Sequence, residues 1–273
     1  MSEELVHLAA DGATATVSVQ GAQVLAWQPA GATRSWLYLS PTARREAGHP
    51  IRGGIPILFP QFGLFGPLPK HGLVRAAPWA PLPRTTQSEA SFTRCDDEHT
   101  RAAWPFAFEL IATVKLAPRS LRVALAVTNR DNRAFTFTAG LHTYLWLADS
   151  TAARITGLAD CRYLDACRDL AACPAHGKEP PAKGPVDRVY LDASAPLTVA
   201  DVDRRVVLTQ TGFEDVVVWN PGPESSLPDM PRADHRSMVC VEAAQIGRPV
   251  TLAPGASWTG AQTLAATPSP GTG

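Results

Sequence analysis

Apolar and polar residues alternate strictly through several short stretches of the chain. In residues 106–116, FAFELIATVKL, the residues Phe106, Phe108, Leu110, Val114 and Leu116 fall on one face. That is the pattern of a half-buried strand. Residues 121–127, LRVALAV, do the same with Leu121, Val123, Leu125 and Val127. Further stretches of strand character lie at 14–18, 22–27, 135–147, 187–191, 205–210, 215–219, 237–243 and 257–264. The 20 glycines and 25 prolines are spread between them as turn punctuation. Many short strands separated by turns predict an all-β antiparallel sandwich or barrel. Helix signals are scarce. Short helices are expected near 41–47 and 228–235, neither with a long apolar stripe at helical spacing. No internal repeat or interdomain linker interrupts the pattern, so residues 1–266 are expected to form one domain. The stretch 174–185, PAHGKEPPAKGP, reads as an exposed loop. The end, 267–273, TPSPGTG, reads as a disordered tail.

Composition narrows the function classes. The 273 residues are enough for a substantial core, and 45 % of them are apolar, an ordinary globular share. Lys+Arg and Asp+Glu number 25 each. A chain of zero net charge has no general pull toward nucleic acid or an acidic membrane. Any attraction for an anion must come from a few local residues. No apolar run reaches the roughly 20 residues of a membrane span. The opening MSEELVHLAADGA carries acidic residues where a signal peptide has basic ones, so a cytoplasmic protein is expected; a sandwich with no evident partner surface is expected to be a monomer. Cys95, Cys161, Cys167, Cys173 and Cys240 are odd in number and contain no C-x-x-C pair. They read as scattered reduced thiols, and the six-residue spacing of Cys161, Cys167 and Cys173 lacks the close pairs of a metal site.

Four segments look unlike plain scaffold. In 52–63, RGGIPILFPQFG, glycines and prolines interrupt apolar residues, which predicts a shaped loop with Arg52 at its mouth. In 68–75, LPKHGLVR, the residues Lys70, His71 and Arg75 crowd around a glycine. Such cations repel one another unless an anion or acidic partner offsets them, and arginine's planar fork suits phosphate or carboxylate. They could equally be solvated loop cations. In 135–147, FTFTAGLHTYLWL, the residues Phe135, Phe137, Leu141, Leu145 and Leu147 form an apolar face. His142 lies on the other face with Thr136, Thr138 and Tyr144, as a cleft residue or as a structural histidine. In 238–243, MVCVEA, the residues Cys240 and Glu242 point away from Val239, Val241 and Ala243. A carboxylate so flanked is costly to bury unless it is paired or functional.

The segments RGGIPILFPQFG, LPKHGLVR, LHTYLWL, VDRVY, VVVWNP and MVCVEAAQIGRPVTLAPGASW follow in this order over about residues 50–260. Together they resemble the D-hexose-6-phosphate mutarotases, or glucose-6-phosphate 1-epimerases, of the aldose 1-epimerase superfamily. The resemblance implies a galactose-mutarotase-like supersandwich, in which large antiparallel sheets curve around one cleft. It implies interconversion of the α and β anomers of a hexose 6-phosphate, with no cofactor and no metal. Glu242 in CVE matches the general base and His142 in LHTY the general acid. Arg52 in RGG and Arg75 in HG-x-x-R match substrate-binding arginines, and Asp187 in VDRVY matches a carboxylate that binds sugar hydroxyls. Lys70 stands where related sequences often carry glutamine, which leaves its contact open. His71 is expected to line the cleft without being the acid.

The chemistry fits these residue types. Mutarotation opens the hemiacetal ring, lets the C1–C2 bond rotate and closes the ring on the other face. One group takes the C1 hydroxyl proton while another protonates the ring oxygen, and both are restored on reclosure. Three other readings compete. The first is a mutarotase for free aldoses. The second is a non-catalytic sugar-phosphate-binding module on the same fold, which would have no need of an intact acid–base pair. The third is a metal-dependent cupin-like enzyme that gathers His71, His142 and Glu242, against which stands the missing H-x-H motif.

Overall fold

The computed structural model describes residues 4–267 apart from Ser194 and Asp203. Three antiparallel sheets form it. A three-stranded sheet joins Leu5–Ala10, Ala13–Ser18 and Gln23–Gln28. Two eight-stranded sheets then face each other. One is centred on Ser120–Asn129 and Ser257–Thr267, the other on Asp215–Asn220 and Met238–Leu252. This is the large-sheet sandwich that the alternation predicts.

The core lies between the two large sheets. Phe108, Leu110, Ala112 and Val114 from one sheet meet Phe137, Leu141, Val218, Val239 and Val241 from the other. The strand Phe108–Ala117 buries every second residue and leaves the rest partly exposed, as a sheet with one wet face must. The second sheet is different, because both of its faces are covered. Val216 and Val218 join the main core, while Val217 packs with Phe62, Val189 and Ala244 in a second cluster on the outer face. That outer face carries the site.

Several boundaries differ from the sequence reading. Residues 41–47 form turns and bends without a helix, since no apolar stripe gives a helix there anything to pack on. Around 228–235 there is one 3-10 turn, Arg232–Arg236. The six-residue α-helix Glu98–Ala103 was not anticipated. It is nucleated by a capping box in which Asp97 accepts from Thr100 N and the Thr100 hydroxyl receives the Asp97 N–H. The loop 52–63 contains a two-residue strand, Ile57–Leu58. The expected strand 135–147 is two strands, Phe135–Leu141 and Tyr144–Trp146. Residues 174–185 are exposed except Pro180, Ala182 and Gly184. Thr267, assigned to the tail, is the last residue of Ser257–Thr267; 268–273 lie outside the described residues. Among the described residues no helix is long and apolar enough to cross a membrane.

Candidate active site

Strand register assembles the site. On Met238–Leu252, Val239, Val241 and Ala243 enter the main core, so Cys240 and Glu242 face outward. The next strand pairs Val217 with Glu242 and Trp219 with Cys240. Beyond it, Val186–Tyr190 pairs Asp187 with Trp219. On the other side, the pairings Leu141 to Ala243 and Tyr144 to Cys240 bracket His142. His142 therefore stands opposite Glu242. The ladder is interrupted there, because the His142 N–H is given to Pro56 O at 2.9 Å.

Two loops close the site. Gly53 and Gly54 have φ of 113° and 64°. A Cβ on Gly54 would lie 2.1 Å from Val24 O, so only glycine lets this loop lie against the first sheet. Gln23 fastens the same loop, donating to Ile51 O and Gly53 O at 3.1 and 2.7 Å. This places Arg52, whose Nε is 3.1 Å from Asp229 Oδ1 and whose Nη1 donates to the Tyr144 hydroxyl at 3.0 Å. In the second loop His71 itself has φ 69°, a strained setting for a residue with a Cβ. Its N–H donates to Gly63 O at 2.9 Å. The Gly63 N–H donates to its Nδ1 at 3.1 Å. In the neutral ring the proton is therefore on Nε2.

These parts surround one cavity of about 550 Å³. Arg52, Lys70, His71, Arg75, His142, Asp187 and Glu242 all line it. The seven residues singled out in the sequence thus come together, although they are scattered from Arg52 to Glu242 along the chain. A larger and more open hollow of about 840 Å³ lies beside Thr14, Thr16 and Arg84. It is not the better candidate. Its one guanidinium is tied to the His7, Gln87 and Glu89 carbonyls, and it holds no acid–base pair.

Within the cavity, His142 Nδ1 and Glu242 Oε1 are 3.3 Å apart. The approach lacks the alignment of a hydrogen bond, and neither His142 Nδ1 nor Glu242 Oε2 has a hydrogen-bond partner. The imidazole is held by stacking on Tyr144, with centroids 4.7 Å apart and planes 7° off parallel, and by the edge of Trp219. His71 meets it edge-on at 5.3 Å. Burial, reinforced by His71, Arg52, Arg75 and Lys70, holds His142 well below the usual histidine range. Burial, reinforced by Asp187, raises the Glu242 carboxyl well above the usual range, with Lys70 opposing. His71 is pushed down to about 3 by burial and then by Arg75, Lys70 and Arg52. Asp187 is raised by burial, with Lys70 opposing and Asp165 adding. A dry, titratable pair so tuned is suited to moving protons.

Sequence reasoning did not single out Trp219, Tyr144 or Asp229 for roles in the site. Trp219 stands in VVVWNP and Tyr144 in LHTY, so position within the motifs was the available signal. Asp229 lies 177 residues from Arg52 and gave no signal. Among the described residues one group has metal-ligand geometry: His142, Cys240 and Glu242, with ligand atoms within 4.8 Å of one another. The cysteines at 161, 167 and 173 form no such group.

The model of the family described as aldose 1-epimerase matches residues 4–265. The chain belongs to the aldose 1-epimerase family. It is a mutarotase by that membership, and it shares its fold with solved mutarotases. A relative from Cenchrus ciliaris bearing the name "Putative glucose-6-phosphate 1-epimerase" is 33 % identical over 98 % of this chain and 85 % of its own. A relative of the same name from Salmonella typhimurium is 31 % identical over 86 % of this chain and 81 % of its own. The crystal structure of a "putative mutarotase" from Salmonella typhimurium superposes with a TM-score of 0.89 at 29 % identity, covering 98 % of this chain and 91 % of that one.

Proposed function

We propose that this mutarotase acts on a hexose 6-phosphate, glucose 6-phosphate first, with Glu242 as base and His142 as acid. The observation that carries the substrate class is the charge around the cavity. Lys70 and Arg75 line it, and among the described residues neither makes an ion pair with a carboxylate. The Arg75 guanidinium has one hydrogen bond, from Nη2 to Lys70 O at 3.2 Å. Two cations without acidic partners suit a phosphate dianion. Arg52 is already engaged by Asp229 and Tyr144, so Lys70 and Arg75 are the better phosphate partners and Arg52 the stiffer wall. Asp187, which lines the same cavity, is the candidate for sugar hydroxyls. His71, neutral and with Nε2–H free of Gly63, offers a hydrogen bond to the substrate without competing as the acid.

Proton bookkeeping agrees with the pair. Ring opening takes the C1 hydroxyl proton onto Glu242 and gives a proton from His142 to the ring oxygen. A carboxylate and an imidazolium become a carboxylic acid and a neutral imidazole. Burial favours the neutral pair before opening as well as after it, so the charged starting pair is a minor state, and a bound phosphate dianion that offsets Arg52, Lys70 and Arg75 makes the imidazolium easier to reach. Reclosure on the other face of C1 reverses both transfers and restores the site.

The test is exchange NMR between the two anomeric proton signals of glucose, mannose and galactose, each with and without a 6-phosphate. The expected result is a specificity constant at least about tenfold higher for the phosphorylated sugar, equivalent to roughly 1.4 kcal/mol. Equal or better turnover of free hexoses would point to the free-aldose mutarotase. No exchange with any sugar would point to a binding module.

A further inference from the structure

Cys240 lies directly behind the proposed acid–base pair, and no step of mutarotation uses it. It is fully buried against Tyr38, Tyr144, Met230 and Met238. It shares an outward face with Glu242 two residues on, and its strand partners are Trp219 and Tyr144. As an apolar filler it needs no further explanation. Two facts go beyond filling. The His142 nitrogen, the Cys240 sulfur and a Glu242 oxygen lie within 4.8 Å of one another, all three residues buried. His142 Nδ1 and Glu242 Oε2 are also buried without hydrogen-bond partners, which is uncommon for such atoms.

We propose that His142, Cys240 and Glu242 form a binding site for a thiophilic divalent cation, zinc or cobalt, whose occupancy shuts off the acid–base pair. Histidine nitrogen, cysteine sulfur and carboxylate oxygen are each zinc ligands, three protein ligands leave a fourth position, and His142 and Glu242 line the cavity, so that position is open to water. Tetrahedral zinc bonds of about 2.0 to 2.3 Å put ligand atoms roughly 3.5 Å apart. His142 Nδ1 and Glu242 Oε1 already meet that at 3.3 Å, and the longest separation closes by about 1 Å. The Cys240 thiol proton passes to solvent as the thiolate binds, as does any proton held by Glu242. Arg52, Lys70 and Arg75 oppose a cation in this cavity. Thiolate and imidazole bonds must therefore outweigh that repulsion, which selects zinc, cobalt or cadmium over magnesium or calcium. The metal is an inhibitor, because it occupies the two groups that must exchange protons with the sugar.

The geometry of the ligand set does not depend on the substrate; only the inhibition rests on the mutarotase reading. The test uses the full-length reduced chain, stripped with a chelator and titrated with cobalt(II) without oxygen. One cobalt per chain is expected, with the near-ultraviolet thiolate-to-cobalt band. Cys240→Ser should abolish that band, and His142→Asn should weaken cobalt binding at least about tenfold. Excess magnesium should not displace the cobalt. In parallel, zinc should inhibit anomer exchange, and Cys240→Ser should keep metal-free activity while raising the half-inhibiting zinc concentration at least about tenfold. Cys240→Ala serves in the same way if the serine hydroxyl destabilises its apolar surroundings. No thiolate band in the parent, or a band that persists in Cys240→Ser, overturns the site whatever the activity assay shows. Zinc inhibition unchanged by either Cys240 substitution overturns the inhibitory role.

Discussion

His71 makes the protein's stability depend on pH in a way that a single substitution isolates. The ring is buried, accepts the Gly63 N–H at Nδ1 and is pushed down to about 3. An unfolded histidine titrates near 6.5. Between these values the unfolded chain binds a proton that the folded chain refuses, so stability falls as pH falls below about 6.5 and the loss levels off near the folded value. Linkage with these two values gives a loss of about 2 kcal/mol from this residue at pH 5 relative to pH 7.5. His71→Asn removes the titration with little other change. Asparagine tolerates the positive φ better than most residues, and its side-chain oxygen can accept the Gly63 N–H. Urea unfolding of both proteins across pH 5 to 7.5 measures the effect. The variant should gain on the parent as pH falls, by about 2 kcal/mol at pH 5. Comparing parent with variant cancels the parallel trend of His142 and the opposing trends of Glu242 and Asp187. Parallel stability curves would show that His71 titrates in the folded protein as it does in the unfolded chain, and the ring held neutral by burial would have to be abandoned.

Two other substitutions probe separate links. Arg75→Ala removes a cation without an acidic partner, and a charge-assisted hydrogen bond is worth about 1.5 to 3 kcal/mol. The specificity constant for hexose 6-phosphate should fall about 10- to 100-fold while that for free hexose changes less than about threefold, and equal losses would exclude a phosphate contact. Gly54→Ala forces a Cβ toward Val24 O at a φ of 64°; it should cost at least about 2 kcal/mol. An unchanged urea midpoint would contradict the steric account of the RGG segment.

Strands with one wet face were legible from sequence because alternation survives in them. Ser120–Asn129 buries Leu121, Val123, Leu125 and Val127, the four residues its pattern nominates. The site-bearing sheet is covered on both faces, so alternation fades, and VVV in 216–218 cannot say that Val217 faces the cavity. The break at His142 and Thr143 was hidden for the same reason, since the apolar parity of Leu141 and Leu145 continues through it. Individual site residues were legible as departures from expectation: a carboxylate among valines, cations around a glycine. Their mutual geometry was not. That His142 stands opposite Glu242 depends on a register between strands 100 residues apart, and the hold of Asp229 on Arg52 spans more still. The helix Glu98–Ala103 was missed because six residues carry no periodic stripe; its signal was the Asp97 and Thr100 cap alone.

The central claim is that Glu242 and His142 together move the protons of ring opening. Exchange NMR on glucose 6-phosphate with the parent, Glu242→Gln and His142→Asn tests it most directly. Glu242→Gln keeps the shape and removes the base, and His142→Asn removes the proton donor, so each should lower turnover about 100-fold or more, with glucose 6-phosphate binding changed less. A turnover within about threefold of the parent in either variant would remove that residue from the mechanism and contradict the account.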